Sequence, residues 1–177
     1  FKLTTDEGGT QVPLIISGPG VAERGVDTSQ MLHVTDILPT ILDYVGAVRP
    51  QEREGVPLAP LYGRSWKPYL GGETRAPVRG PFDAICFEMV ECRAVNKGDW
   101  KLIFMAPPYG DNDWQLFNLR DDPREKNNLA EQEPAKFEEL KAEWEAYAKA
   151  VGYIQAGETK QLSLMTPAEY FSFPGLT

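Results

Sequence analysis

The residues best suited to chemistry stand in the first stretch of the chain, KLTTDEGG. Lys2 lies five positions before Glu7, which is followed directly by Gly8 and Gly9. An ammonium group attracts anions, and the attraction is strong where water is excluded. A lysine placed just ahead of a Gly-Gly turn therefore predicts a loop in which Lys2 meets an anionic group.

Other polar residues are better explained by structure than by catalysis. His33, the only histidine, could act as an acid or a base, but it directly precedes a predicted helix. Asp121, Asp122 and Glu125 could form a weak cation site. Because Asp side chains often bond the backbone of their own turn, we predict a turn there instead.

Composition and charge limit the classes of partner. The 177 residues carry a formal charge of -8, from 18 basic and 26 acidic residues. This balance disfavours nucleic acid and anionic membranes, which require clustered Lys and Arg. No apolar run approaches the roughly 20 residues that span a bilayer. Cys86 and Cys92 do not suffice for a disulfide framework or a metal site, and we predict two buried thiols.

The first 48 residues have the pattern of an α/β domain. The run VPLIIS at 12–17 is apolar and rich in β-formers, which predicts a strand buried on both faces. Residues 33–46 then predict a helix that begins near Thr35 or Asp36 and ends at Gly46. Its apolar stripe consists of Ile37, Leu38, Ile41, Leu42 and Val45.

The pattern changes twice further along the chain. Residues 49–83 are punctuated by prolines and glycines, which predicts an extended connection between two subdomains. In residues 84–152 apolar side chains recur first at every second position and then at helical spacing. This pattern predicts an antiparallel sheet covered by a helix at 135–152. The tail at 153–177 shows no clear period. The helix stripe, and the strand tryptophans, are predicted to form the core.

Five segments in this order resemble the C-terminal part of type I, formylglycine-dependent sulfatases of the alkaline-phosphatase-like superfamily. Residues 2–13 resemble the segment that carries the active-site lysine, and residues 33–46 resemble the helix that follows it. GRSWKPYLGG at 63–72, GDWKLI at 98–103 and WQLFNLRDDPREKNNL at 114–129 resemble later landmarks. The resemblance implies an α/β domain followed by a small α+β subdomain with an antiparallel sheet and a covering helix.

The resemblance also implies a chemistry. Such sulfatases use a formylglycine made within a Cys-x-Pro-Ser-Arg motif, and a divalent cation, usually calcium, that holds the sulfate. Lys2 corresponds to a catalytic lysine that contacts the sulfate ester oxygen and stabilises charge as the S–O bond breaks. Glu7, Gly8 and Gly9 would shape its loop, the glycines through backbone angles that other residues avoid.

Much of that machinery has no counterpart in this sequence. Cys86 and Cys92 are not followed by the Pro, Ser and Arg of the modification motif, and no aspartate set matches the metal segment. We therefore expect a fragment of an arylsulfatase-like sulfuric ester hydrolase that is inactive alone and needs the N-terminal part of its enzyme. Arg64 and Lys67 could reach a sulfated substrate, and the sequence does not decide this.

Two alternatives stay open at this point. Phosphonate monoester hydrolases and phosphodiesterases of the same superfamily share much of this pattern. A non-catalytic binding or assembly module is the alternative of another class. The fragment hypothesis predicts an orphaned strand at 12–17 and an apolar helix face at 37–45 that need cover, and such surface promotes self-association. The style of the sequence is bacterial, and its pattern does not choose between a cytoplasmic and a periplasmic location.

Overall fold

The computed structural model describes residues 4–22, 25, 30–89 and 91–155. They form two compact units. Residues 14–80 make up unit 2, while the residues before 14 belong with those from 81 onward in unit 1. In chain order the elements are α1 (Glu7–Thr10), a 3-10 turn (Val34–Asp36), α2 (Ile37–Val45), β1 (Glu52–Arg53), β2 (Val56–Pro57), α3 (Lys67–Leu70), β3 (Ala84–Met89), β4 (Cys92–Lys97), β5 (Trp100–Phe104), β6 (Trp114–Asn118) and α4 (Pro134–Val151).

The division differs from the domains predicted at 1–48, 49–83 and 84–152. Residues before 14 join the sheet unit because their side chains and backbone are bonded to it, as described below for Thr5 and Glu7. Residues 49–80 of the proline-rich stretch, predicted to be a connection, belong to unit 2 together with α2. They contain the short β1–β2 hairpin and α3.

The sheet of unit 1 is a four-stranded antiparallel meander in the order β3-β4-β5-β6. The predicted alternation and helix over residues 84–152 are confirmed. Lys97 pairs with Trp100 across the turn that joins β4 and β5. Gly98 in that turn has a φ of 59°, and a Cβ there would stand 3.0 Å from the Pro81 carbonyl oxygen. Glycine relieves both constraints at once.

One face of the sheet, called the helix face, packs against α4. Val95, Leu102 and Leu116 of three successive strands are fully buried against Leu140 and Trp144 of the helix. Alternation along each strand brings these side chains to one side, and the helical spacing of 140 and 144 brings theirs to meet them. Trp100, Trp114 and Trp144 lie in or beside this core, as predicted: the ring centroids of Trp114 and Trp144 are 6.1 Å apart.

The opposite face, called the segment face, has its own buried cluster. Its members include Cys92, Ala94, Ile103, Met105 and Phe117. Thr5 of the N-terminal segment contacts this cluster, with its Oγ1 3.6 Å from Met105 Sδ. The sheet therefore has an apolar layer on both sides.

Unit 2 is organised differently. The predicted helix is present as α2 and ends at Gly46, whose φ of 66° is left-handed. The predicted strand at 12–17 is wrong: the chain there forms no ladder, and Val12 and Ile15 are 74% and 92% exposed. A strand needs a neighbouring strand to satisfy its backbone groups, and the described residues supply none at this place.

None of the helices in the described ranges has the length and apolar character that crossing a membrane requires.

Candidate functional site

The segment that follows Lys2 begins with two anchored threonines. Thr5 is 1% exposed, and its hydroxyl donates to the Arg93 carbonyl oxygen at 3.1 Å. Thr4 donates to Asp6 Oδ1 at 2.6 Å. The Thr5 bond ties the segment to β4, whereas the Thr4 bond is local to the segment. The segment is therefore held against the sheet at Thr5.

Asp6 starts a single helical turn. Its side chain accepts the Gly9 N–H at 3.0 Å, which is the bond of a helix N-cap. Gly8 and Gly9 lie inside this turn, α1, and neither is among the described glycines with positive φ. The expectation that they adopt angles closed to other residues is wrong, because the Asp6 cap makes the segment helical instead.

A buried ion cluster lies under this turn. Lys101 of β5 is 0% exposed, and its Nζ contacts Glu7 Oε1 at 2.6 Å and Glu125 Oε1 at 3.0 Å. It also donates to Thr10 Oγ1 at 3.3 Å. The contact with Glu125 is an ion pair. Lys101 thus bridges the N-terminal segment and the turn after β6.

Glu125 completes the cluster from the other side. Its Oε2 accepts the backbone N–H of Glu7 at 2.7 Å. Burial raises the pKa of Glu125 above its usual value of 4.5, while the charge of Lys101 and the N–H of Glu7 oppose that shift. The cluster therefore fixes both the side chain and the backbone of Glu7.

The turn that carries Glu125 is built by Asp122, as the sequence predicted. Asp122 Oδ2 accepts the backbone N–H groups of Lys126 and Asn127 at 2.6 and 2.7 Å. Glu125 itself has a φ of 52°, a left-handed angle that an ordinary side chain rarely adopts. The acidic run here is a turn that aims one carboxylate inward.

Lys2 lies outside the described residues. The structure therefore describes the supports behind it: Thr4, Thr5, α1 and the Lys101 cluster. Sequence reasoning assigned loop-shaping to Glu7 without finding its partners. The missed signal was Lys101, a charged residue standing between the apolar residues of a predicted strand.

Unit 2 has a separate polar centre, at Asp36. This carboxylate is 0% exposed and forms a two-pronged ion pair with Arg79. It also accepts from the Arg64 N–H at 2.8 Å and Trp66 Nε1 at 3.1 Å. Burial alone would raise the pKa of Asp36, but the bonds from Arg79 and its neighbours hold it below the usual 3.8.

His33 belongs to this centre and not to a catalytic pair. Its backbone N–H donates to Asp36 Oδ2 at 2.8 Å, and its ring caps the 3-10 turn through the Thr35 N–H. Burial lowers the pKa of His33. The structural interpretation of His33 agrees with these bonds.

The cations considered for substrate contact are occupied. Lys67 Nζ donates to the Asp43 carbonyl at 2.9 Å and pairs with its carboxylate at 3.3 Å. Arg64 donates to the Val78 carbonyl oxygen at 3.2 Å. Both side chains therefore tie loops of unit 2 together.

The described residues do not fit a formylglycine or a calcium ion. Within those ranges no group of three or more His, Cys, Asp and Glu is placed to hold a metal. Burial raises the pKa of the Cys86 thiol to about 12 and also raises that of Cys92. Neither thiol is therefore an activated nucleophile, and neither cysteine is followed by the Pro, Ser and Arg of the modification motif.

Comparison with known families identifies the family to which this chain belongs. Residues 2–150 match the family described as N-sulphoglucosamine sulphohydrolase, C-terminal. The match includes the Lys2 segment, both units and α4.

Curated relatives agree. The chain is 28% identical to an uncharacterized sulfatase of Schizosaccharomyces pombe, over 93% of this chain and 30% of that protein. It is 34% identical to a choline-sulfatase of Rhizobium meliloti, with 74% and 23% covered. It is 30% identical to human arylsulfatase K, with 79% and 25% covered. The chain thus spans less than a third of the relatives' length.

Solved structures share the fold. One, from a study of glycosaminoglycan metabolism by Bacteroides thetaiotaomicron, has a TM-score of 0.50 at 25% identity and covers 64% of this chain and 24% of that one. Another, solved with its substrate D-glucosamine-2-N,6-O-disulfate, has a TM-score of 0.50 at 23% identity, with 71% and 25% covered.

Proposed function

The chain belongs to the sulfatase family described as N-sulphoglucosamine sulphohydrolase, C-terminal, and from this premise we propose that it carries Lys2 into the active site of a sulfuric ester hydrolase. The observation that supports this role is the anchoring of the segment after Lys2. Thr5 and Glu7 are bonded to residues of the sheet unit, and the family match includes Lys2. Such support is what a catalytic group requires, since its position must be fixed.

In this proposal Lys2 donates to the ester oxygen of the bound sulfate. The positive charge stabilises the negative charge that grows on that oxygen as the S–O bond breaks. Removing one donor of this kind typically costs about 3–4 kcal/mol of transition-state stabilisation. Enzymes lower barriers by roughly 8–23 kcal/mol, so the lysine is one contributor among several.

The remaining contributors belong to other parts of the sulfatase. The formylglycine would supply the attacking oxygen, and a calcium ion would hold the sulfate. Within the described residues no group of three or more His, Cys, Asp and Glu is placed to hold a metal, and neither cysteine lies in the modification motif. We therefore propose that both groups reside in the portion of the enzyme that this chain does not span. Alone, the chain is then expected to hydrolyse no sulfate ester.

The apolar side chains of α2 support docking onto that portion. Ile37, Leu38, Ile41 and Val45 are 41%, 47%, 53% and 69% exposed. Four neighbouring apolar side chains in water mark an interaction surface. Their natural cover is the rest of the α/β domain, to which the sequence pattern of this helix also points.

The test is Lys2→Met in the intact sulfatase, assayed with p-nitrophenyl sulfate and, in parallel, a phenylphosphonate ester. We expect kcat on the sulfate ester to fall about 10²–10³-fold with a smaller change in KM. Lys149→Met, which removes an exposed lysine of α4, is the matched control. Full activity in the Lys2 variant would contradict the assignment, and preference for the phosphonate would move the enzyme to the alternative class.

A further inference from the structure

The ion cluster of Glu7, Lys101 and Glu125 joins three distant parts of the chain. Lys101 is 94 positions from Glu7, and Glu125 is 118 positions from it. Glu7 is bonded twice, through its carboxylate to Lys101 and through its N–H to Glu125. Two bonds in different directions fix the orientation of a residue as well as its position.

Stability alone is a weak reason for this cluster. Removing charges from water is costly, and well-packed apolar residues at such places are often at least as stable. Hydrogen bonds, however, are directional and specify one geometry, whereas apolar contacts tolerate sliding. The cluster is therefore better explained by a need to fix the position of the N-terminal segment than by a need for stability.

The same sheet provides an internal comparison. Lys97 of β4 also bridges two glutamates, Glu139 at 3.0 Å and Glu143 at 2.5 Å. Both partners lie on α4, so this cluster ties the helix to the helix face. Lys97 keeps 12% of its side chain exposed, whereas Lys101 keeps none. Two similar lysine–glutamate clusters thus hold α4 on the helix face and the N-terminal segment on the segment face.

We propose that Lys101 and Glu125 are positioning residues for Lys2: they hold Glu7, and with it the segment that follows the lysine, at a fixed place on the sheet. The inference rests on the proposed function of Lys2. A misplacement of about 1 Å can cost a catalytic group on the order of 10²-fold in rate. Loosening Glu7 therefore lowers the rate without removing any group that touches the substrate.

The test compares Lys101→Met with the matched variant Lys97→Met in the intact sulfatase. With p-nitrophenyl sulfate, Lys101→Met is expected to lower kcat about 10–10²-fold while KM changes less than about threefold. Lys97→Met is expected to leave both constants near those of the parent enzyme. An equal loss of kcat in the two variants would overturn the proposal, because it would reflect general destabilisation.

Hydrogen exchange supplies a readout that does not depend on activity. The amides of Gly9, Thr10 and Gln11 are bonded within the α1 turn. In Lys101→Met these three amides should exchange faster while the amides of α4 are unchanged. In Lys97→Met the amides of α4 should exchange faster while the three α1 amides are unchanged. Unchanged exchange of the three amides in Lys101→Met would overturn the anchoring.

Glu125→Gln keeps the proposal testable if Lys101→Met does not fold. Glutamine retains the shape and an acceptor for the Glu7 N–H but loses the charge, so a smaller shift in the same direction is expected in both readouts. No shift in either would overturn the proposal. If the parent enzyme itself does not turn over the aryl sulfate, the proposed function fails, and the exchange comparison still decides the anchoring.

Discussion

The two units differ in the kind of side chain that is buried at their centres. Unit 1 has a sheet with an apolar layer on each face, including the fully buried Leu102, Leu116 and Leu140. Unit 2 buries the charged pair Asp36 and Arg79 at its centre, while the apolar side chains of α2 face outward. Among the described residues of unit 2, Trp66 is the one buried apolar side chain, so the hydrophobic driving force for independent folding of this unit is weak.

This difference suggests that unit 1 acts as a scaffold and that unit 2 provides an interface. Unit 1 satisfies its apolar surface internally, and polar contacts are then used to place the N-terminal segment. Unit 2 is held together by the bonds of Asp36 and by those of Lys67 and Arg64, and we propose that its apolar face is covered by another part of the sulfatase. Each unit can be perturbed at its own centre, which gives four tests of the comparison.

The largest effect is expected in unit 1. Trp144→Ala removes a ring that contacts Trp114, Tyr147 and Tyr153, and large-to-small core changes of this kind cost about 3–5 kcal/mol. Denaturant unfolding measures the loss of unfolding free energy, and hydrogen exchange in β4 and β5 locates it. Tyr62→Ala, at a 66% exposed aromatic, is the control. A loss confined to unit 2 would contradict the comparison.

A slightly smaller loss is expected from Arg79→Met in unit 2. The variant leaves Asp36 buried without its countercharge, which typically costs about 3 kcal/mol or more. Three neutral donors still bond the carboxylate, so we expect the low end of that range. Amide exchange over α2 should rise while the sheet of unit 1 stays protected. Equal loss of protection in both units would show that they unfold together.

Acidification should weaken α2 in unit 2. The folded-state pKa of Asp36 is lowered from 3.8, so its contribution exists above that value and is lost as the pH falls through the folded pKa. Protection factors from amide exchange, measured from pH 6 to pH 3, should therefore fall in α2 at the acid end relative to those in β4 and β5.

Asp36→Asn is the control for this titration. The variant has no carboxyl to protonate at that position, so the acid-dependent weakening of α2 should disappear. An unaltered acid response in the variant would assign the effect to another group.

The smallest effect on stability is expected from Ile41→Ser on the exposed face of α2. Exposed positions away from caps and core usually change stability by no more than about 0.5 kcal/mol. Association of the isolated chain should nevertheless fall, because part of the apolar surface is removed. Sedimentation measures the association. A large loss of stability would show that this face is covered within the chain.

The comparison also explains which features were predictable. The strands β3 to β6 and α4 followed from alternation and helical spacing, because both faces of that sheet are covered within this chain. The strand expected at 12–17 failed since its apolar pattern requires a neighbour that the described residues do not provide. Apolar pattern predicts burial only when the covering partner is present.

Local order along the chain was enough to establish the lysine motif, the family resemblance, the antiparallel sheet, the covering helix and the Asp122 turn. These features depend on residues that are close in sequence, where side-chain periodicity and turn preferences act directly. Only the tertiary structure paired Glu7 with Lys101 and Glu125, and Asp36 with Arg79. Such pairs join residues far apart in sequence, and nothing in the local pattern of a charged residue specifies which distant charge it will meet.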